Sequence, residues 1–338
     1  MSTHKPLPCP SPNTNEGRRQ TINLRNENGH IKKAKALRSI RGAVYEIGRF
    51  MKKTIYGGVY FGSILEKVDN SCPKTYIRTS NFVVIKTVNK EKLEINNCAE
   101  DPLTEIAVAQ LLAEDEGGVH SNLLGQLETV SDARWYYIVM ECCGGGELLD
   151  CLGSDKAYQF AESTAQMFFT HIVLGLQNLH SHDLCHGDMA PDNILLTEDR
   201  CTCKIIDFAM CLRFARDQQG NAMLFPPQGV RSEKSYYRAP EVHDNQHPFS
   251  GPVADVWALG VILFMMLVGH APVDYPSRGC PRYCAIASGV MWEMVEGWGI
   301  KHVSKQARDL ISGILCVEPS QRFTIEDILA HPWMRAGQ

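Results

Sequence analysis

Two groups of residues in this 338-residue chain have types and spacing suited to chemistry. Lys86 ends the apolar run Val83-Val84-Ile85, and Glu105 follows 19 residues later. A lysine at a strand end is ordinarily a surface residue. Held by an anionic partner, it becomes a fixed point charge that can neutralise an anionic substrate. Asp188 and Asn193 lie five residues apart, and Asp207 follows the apolar strand Lys204-Ile205-Ile206. Such carboxylates can accept a proton or meet a divalent cation. On solvated loops they would do neither, but Asp207 leaves an apolar strand directly and is aimed inward. The 13 cysteines offer a weaker option. Cys201 and Cys203 are two apart and Cys280 and Cys284 four apart, with no C-x-x-C and matching second pair. Cys142, Cys143, Cys151 and Cys316 sit in apolar surroundings and read as reduced, half-buried thiols.

The elements that must position these residues follow from pattern. Residues 43–62 and 81–89 are rich in β-branched and aromatic residues and read as strands. A long polar connection with Asp69-Asn70 and Pro73 separates them. Residues 102–114 read as a helix, with Asp101 as N-cap and Pro102 at its first position. Strands are expected at 123–129 and 135–140. After Gly144-Gly145-Gly146 the character changes. Residues 160–180 carry Met167, Phe168, Ile172, Leu176 and Leu179 at helical spacing. Short strands at 193–196 and 203–206 and a run of helices complete the chain.

Hydrophobic residues are 44% and charged residues 21% of the chain, the proportions of an ordinary globular protein. The net charge of −4 argues against a dedicated nucleic-acid binder. The first twenty residues hold no apolar run, so no secretory signal is expected. The longest apolar run, 256–269, suits a buried core helix better than a membrane span. A cytoplasmic protein is expected, with the basic cluster from Lys32 to Arg41 offering a nuclear signal.

Several motifs occur in the order found in the eukaryotic protein kinase family, which the chain resembles from Val44 to Trp333. Val83-Val84-Ile85-Lys86 resembles the V-A-I-K strand, and His186-Gly187-Asp188-Met189-Ala190-Pro191-Asp192-Asn193 the catalytic loop. Asp207-Phe208-Ala209 is similar to D-F-G and Ala239-Pro240-Glu241 to A-P-E. Asp255-x-Trp257-x-x-Gly260 and the ending His331-Pro332-Trp333 look like calmodulin-dependent-type Ser/Thr kinases. The resemblance implies a bilobal α+β fold. Its small β-rich N-lobe (43–140) has one main helix, a hinge spans 141–147, and a mostly helical C-lobe spans 148–335. It implies ATP and Mg²⁺ as cofactors and a protein as substrate. Lys86 would neutralise the α- and β-phosphates and pair with Glu105. Asp188 would accept the substrate hydroxyl's proton. Asn193 and Asp207 would bind metal. Met140 would be the gatekeeper, with Glu141 and Cys143 backbone groups on the adenine edge and Glu147 on the ribose. Val59 and Leu195 would sandwich the ring, with Val84 beside it and Gly57 over the phosphates. Arg322 would pair with Glu241.

Four departures set the other side. Of the Gly-rich loop only Gly57 matches without a gap. Lys52 and Thr54 then occupy the other glycine positions, unless Gly48 begins a loop four residues longer. Gly187 stands where the family has the arginine that receives an activation-segment phosphate, so control through Ser232, Ser235, Tyr236 or Tyr237 is less expected. Ala209 replaces the D-F-G glycine. Ala190 replaces the lysine that neutralises the γ-phosphate, and Asp192 stands where tyrosine kinases compensate with arginine. Lys234 could supply that ammonium from the opposite side; a solvent-facing loop lysine is the competing reading. An active Ser/Thr kinase is expected, with a nucleotide-binding pseudokinase as the alternative.

Residues 1–41 carry nine basic and two acidic residues, net +7, leaving 25 basic against 36 acidic in the rest. Residues 1–42 are therefore expected to be a disordered basic tail, with 31–38 as a short basic helix. The tail would meet an acidic partner or dock on the acidic body. Only five residues follow Trp333, so any regulatory segment is expected in that tail or on another chain.

Overall fold

The computed structural model describes residues 5–7, 9, 11–68, 74–96, 98–152, 159–229 and 234–335. The fold is α+β, and the chain forms two compact units. One is Pro10–Val119 with Leu124–Cys142; the other is Met1–Cys9 with His120–Leu123 and Cys143–Gln338. Ser232 and the connection around Asp69, Asn70 and Pro73 lie outside the described residues.

The first unit is mostly sheet. Its strands are β1 (Asn15–Arg25), β2 (Ile31–Ser39), β3 (Val44–Glu46), β4 (Phe50–Lys53), β5 (Gly57–Lys67) and β6 (Thr75–Asn89). Helices α1 (Lys90–Ile95) and α2 (Pro102–Leu112) follow, then β7 (Gln126–Ser131) and β8 (Trp135–Glu141). The order is β3-β2-β1-β7-β8-β6-β5-β4, and β3 also pairs with β5. The pairing therefore closes on itself. Alternation then sorts the side chains. Val83, Ile85, Tyr137 and Val139 face a core completed by Leu37, Tyr45, Ile47 and Val130. Val88 and Ile138 face the other way, onto Ile106 of α2. That helix starts as expected: the Asp101 side chain accepts from Leu103 N, with Pro102 in the first turn.

The expected disordered tail is overturned from residue 15 onward. β1 and β2 form an antiparallel hairpin in register from Gly17↔Ser39 to Arg25↔Ile31, and residues 31–38 are strand, not helix. The physical reason is a period-two pattern hidden among charges. Ile22 and Leu24 alternate with polar residues and pack with Ala36, Val44, Leu65 and Tyr76. The interleaved lysines occupy the exposed positions, where they cost little. Deleting residues 1–41 should therefore destabilise the unit. Ile22, Leu24 and Leu37 are buried, and each such side chain is worth about 1.5–3 kcal/mol. A urea midpoint unchanged by the deletion would refute this.

The second unit is mostly helical. Its elements are α3 (Leu148–Leu152), α4 (Glu162–Ser181), β9 (Leu184–Cys185), β10 (Ile194–Leu196), β11 (Cys203–Ile205) and β12 (Leu212–Arg213). Then come α5 (Pro240–Asp244), α6 (Gly251–Val268), α7 (Pro281–Ala287), α8 (Met291–Gly297), α9 (Lys305–Ile314), α10 (Ile325–Ala330) and α11 (Pro332–Arg335). Helix α6 is long and apolar enough to cross a membrane, but 78% of it is buried inside the protein, as a core helix should be. Its Gly260 allows close packing: a Cβ there would meet Ile314 at 2.7 Å. The β10–β11 hairpin and the antiparallel pair β9–β12 carry the loops that matter for chemistry. Leu7 pairs with Arg213 and extends the latter.

Candidate active site

In the first unit, register collects the candidate residues on one face. Lys86 lies opposite Val59 on β5 and Ile138 on β8, and Val84 opposite Met140. Alternation then places Val59, Val84, Lys86 and Met140 on the α2 side of the sheet. Lys86 Nζ donates to Glu105 Oε2 at 2.7 Å, and both side chains are largely buried. A buried ammonium needs such a counter-charge. The predicted spacing of 19 residues is thus a real contact between strand and helix.

The β4–β5 hairpin decides between the two readings of the glycine-poor loop. Lys52 pairs with Val59 and Lys53 with Gly58, so the turn is short and no extra four residues are inserted. Lys52 and Thr54 therefore stand at the first two glycine positions of the loop. Other contacts hold the turn. Thr54 Oγ1 accepts from Gly57 N at 3.0 Å, and Tyr56 O accepts from Asn89 N. Tyr56 is 3% exposed, packs with Val88, Ile106 and Ile138, and donates to Glu100 O at 3.0 Å. Gly57 must lack a side chain, because a Cβ would strike the Thr87 carbonyl. Tyr56→Phe keeps the packing and loses one hydrogen bond, so a loss of about 1 kcal/mol is expected. A Tyr56→Phe protein as stable as wild type in urea titration would remove Tyr56 as the anchor.

The predicted hinge contains the last of the chain's passages between units, at Cys142/Cys143. Glu141 caps the first unit locally: its N donates to Gly125 O at 3.1 Å and its Oε1 accepts from Gly125 N at 2.5 Å. In the second unit, Glu147 bridges Leu195 on β10, which brings the two predicted nucleotide residues of that unit side by side. Cys143 is half-buried at its start.

The catalytic-loop candidates are held from below by Asp255 on α6. Its Oδ2 accepts from His186 N at 2.8 Å and its Oδ1 from Gly187 N at 2.9 Å. His186 is fully buried. Its Nε2 donates to Ile206 O, and its Nδ1 accepts from Asp188 N, which fixes one neutral tautomer. Gly187 has φ +74°, a conformation that suits glycine. Asp188 then receives Asn193: the Nδ2 donates to Asp188 O at 2.7 Å and to Oδ2 at 2.9 Å. Ile206 N donates to Asn193 O, so the strand leading to Asp207 is tied to the same loop. Asp207 is left-handed, φ 63° and ψ 73°. The left-handed residue is thus the aspartate. Ala209 sits buried in the short turn that follows.

Lys234 is not solvent-facing. Its Nζ lies 3.0 Å from Asp188 Oδ2 and 2.9 Å from Asp192 Oδ2. Burial alone would lower its pKa, but the two carboxylates outweigh it and the net shift is upward. In the sequence Asp192 stands only as a missing arginine; the fold makes it an ion-pair partner. Asp188 and Lys234 line a cavity of about 70 Å³ with Gly187, Tyr237 and Arg238. Tyr237 is buried, its ring 4.5 Å from that of Tyr236, a structural setting for the first of these. Arg322 meets Glu241 as expected.

The arrangement also fits a hard divalent cation. Asn193 commits its amide nitrogen to Asp188, which turns its amide oxygen to other use, and Asp207 supplies a carboxylate. Magnesium takes few protein oxygens and fills its shell with water and phosphate. Among the described residues no cluster of three or more His, Cys, Asp or Glu side chains could hold a metal alone.

A β-rich unit with a strand–helix Lys–Glu pair and a helical unit with this Asp–Asn loop define the protein kinase fold class. The description "Protein kinase domain" matches residues 71–334. Calcium-dependent protein kinase 24 of Arabidopsis thaliana is 30% identical over 78% of this chain and 42% of its own length. Calcium-dependent protein kinase 5 of Solanum tuberosum is 30% identical over 86% and 49%. A probable serine/threonine-protein kinase of Dictyostelium discoideum is 31% identical over 74% and 27%. The chain belongs to the protein kinase family. It spans about half the length, or less, of these relatives.

Proposed function

We propose that the protein transfers the γ-phosphate of Mg-ATP to Ser/Thr hydroxyls of protein substrates. The observation that carries the reading is the Asp188 carboxylate. Asn193 and Lys234 both contact its Oδ2, which leaves Oδ1 as the atom to meet a substrate hydroxyl. Lys86, fixed by Glu105, would neutralise the α- and β-phosphates. Val59, Val84 and Met140 supply an apolar surface for adenine on the first unit, and Leu195 with Glu147 on the second. The Glu141 and Cys143 backbone would meet its edge, and Gly57 would allow close approach to phosphate. Asp207 and Asn193 would hold magnesium, which offsets phosphate charge during transfer. Ser/Thr preference is supported by the relatives' names and by the absence of a tyrosine-kinase arginine at Asp192. A cytoplasmic location belongs to the same proposal.

A pseudokinase reading keeps specific support from Ala190 and the glycine-poor turn. The test uses purified protein, Mg²⁺, γ-labelled ATP and a basic protein acceptor, with phosphoamino-acid analysis and Asp188→Asn as control. Label on serine or threonine that the control loses supports the enzyme. Equal background in both, with ATP still raising Tm, assigns a nucleotide-binding scaffold instead.

A further inference from the structure

The catalytic loop has lost one cation and the chain has placed another beside it. Ala190, two residues after Asp188, is a fully buried methyl group. It can neither carry charge nor reach a phosphate. Lys234 comes from a different part of the chain, immediately before the short turn Ser235–Tyr237, and bridges Asp188 and Asp192. Asp192 sits four residues after Asp188, in the turn Pro191–Asn193. The two carboxylates therefore present one edge to the ammonium. A loop lysine seeking only solvent has no reason to span both. One seeking only an ion pair would be satisfied by either carboxylate alone.

We infer that Lys234 is a catalytic residue, the relocated ammonium that neutralises the phosphoryl group in flight, and that Asp192 is the residue that positions it. The inference rests on the kinase reading above and deepens it. In the reaction, the substrate hydroxyl oxygen forms a bond to the γ-phosphorus as the bond from phosphorus to the β-bridging oxygen breaks. ADP leaves with that electron pair, and the hydroxyl proton passes to Asp188. Negative charge on the equatorial oxygens must be met next to the base. Lys234 is one hydrogen bond from Asp188, on the oxygen that does not take the proton. The upward pKa shift keeps it charged throughout the neutral range.

The experiment pairs turnover with a binding readout that does not depend on turnover. Lys234→Met is compared with wild type for kcat, for ATP KM, and for affinity toward Mg-ADP alone and Mg-ADP with aluminium fluoride, a mimic of the transferring phosphoryl group. The expected result is a kcat lower by roughly 10²–10³ with KM little changed. Mg-ADP affinity should be retained and the aluminium fluoride complex weakened by a similar factor. Asp192→Asn should give a smaller loss of the same kind, because Lys234 then keeps only Asp188. Turnover within about threefold of wild type overturns the inference. So does lost turnover with unweakened aluminium fluoride binding, which marks Lys234 as a tie between segments only. If wild type itself transfers no phosphate, the kinase reading fails, and this inference with it.

Discussion

Asp188→Asn is expected to lower kcat by roughly 10²–10⁴, the usual worth of a positioned general base, without loss of Mg-ATP binding. The substitution changes almost nothing sterically. An asparagine at 188 can still accept from Asn193 Nδ2 through its amide oxygen, and its backbone carbonyl, which takes the shorter of the two Asn193 contacts at 2.7 Å, is untouched. His186 still accepts from its backbone N. The loop should therefore keep its shape, because Asp255 holds it through two backbone N–H groups that do not involve residue 188. What disappears is the basic oxygen, together with half of the negative charge that holds Lys234. The measurement is steady-state transfer with ATP binding followed separately. Retained turnover would exclude Asp188 as the base. Loss of both turnover and ATP binding would instead show that the loop had collapsed, contrary to the Asp255 argument.

The parts legible in the sequence share a feature: each is a short run whose neighbours in space are also neighbours in chain. Val83 to Lys86 reads as a strand ending in a cation because alternation and β-branching are local. Asp207 after Ile205-Ile206 reads as inward-aimed for the same reason. Asp101-Pro102 announces the start of the helix that carries Glu105. The parts that were misread depend on distant pairing. Ile22 and Leu24 become core only because Ala36, Val44, Leu65 and Tyr76 come to meet them. Viewed alone, nine basic residues among 41 outweigh so sparse an apolar alternation. The glycine-poor turn was ambiguous because two gap placements satisfy the same letters. The register of Lys52 with Val59 and Lys53 with Gly58 is a fact of pairing that composition does not contain. Tyr56 carried no signal at all, since a lone tyrosine in a loop does not reveal that it will be buried.

Lys234 lies between these cases. The loss of the loop lysine at Ala190 suggests a role for it, but only the fold supplies Asp192. Opposite charges 42 residues apart in chain cannot be paired by inspection. The same holds for the Asp255 contacts: a helix 18 residues long contributes one carboxylate that fixes His186, Gly187 and, through His180 Nε2 at 3.0 Å, the end of α4. The chemistry of the loop is thus maintained by a core helix whose sequence looks merely apolar.

That dependence on the core makes Arg322→Met the second large expected effect, and it falls on stability. The Arg322 side chain is fully buried, with Nη1 2.7 Å from Glu241 Oε1 and Nη2 3.0 Å from Oε2. Its remaining donors reach Cys316 O at 3.0 Å and Val253 O at 2.9 Å, and the guanidinium lies 5.2 Å over the Trp257 ring. One side chain therefore joins α5, α6 and the connection after α9. Removing it leaves the Glu241 carboxylate largely buried without its counter-charge and strips two carbonyls of donors. Breaking a buried pair from one side costs about 3–5 kcal/mol, a large share of the 5–15 kcal/mol that holds a typical domain. The direction of comparison matters. Replacing both partners with well-packed apolar residues can be nearly neutral, because the desolvation cost of the two charges disappears with them. Arg322→Met combined with Glu241→Leu should then recover part of the loss, whereas Glu241→Leu alone should be as damaging as Arg322→Met. Urea unfolding of the three variants measures this. A single variant within about 1 kcal/mol of wild type would show that the pair is not a structural tie. A double variant less stable than either single would show that the geometry of the fork, rather than charge compensation, holds α5 against α6.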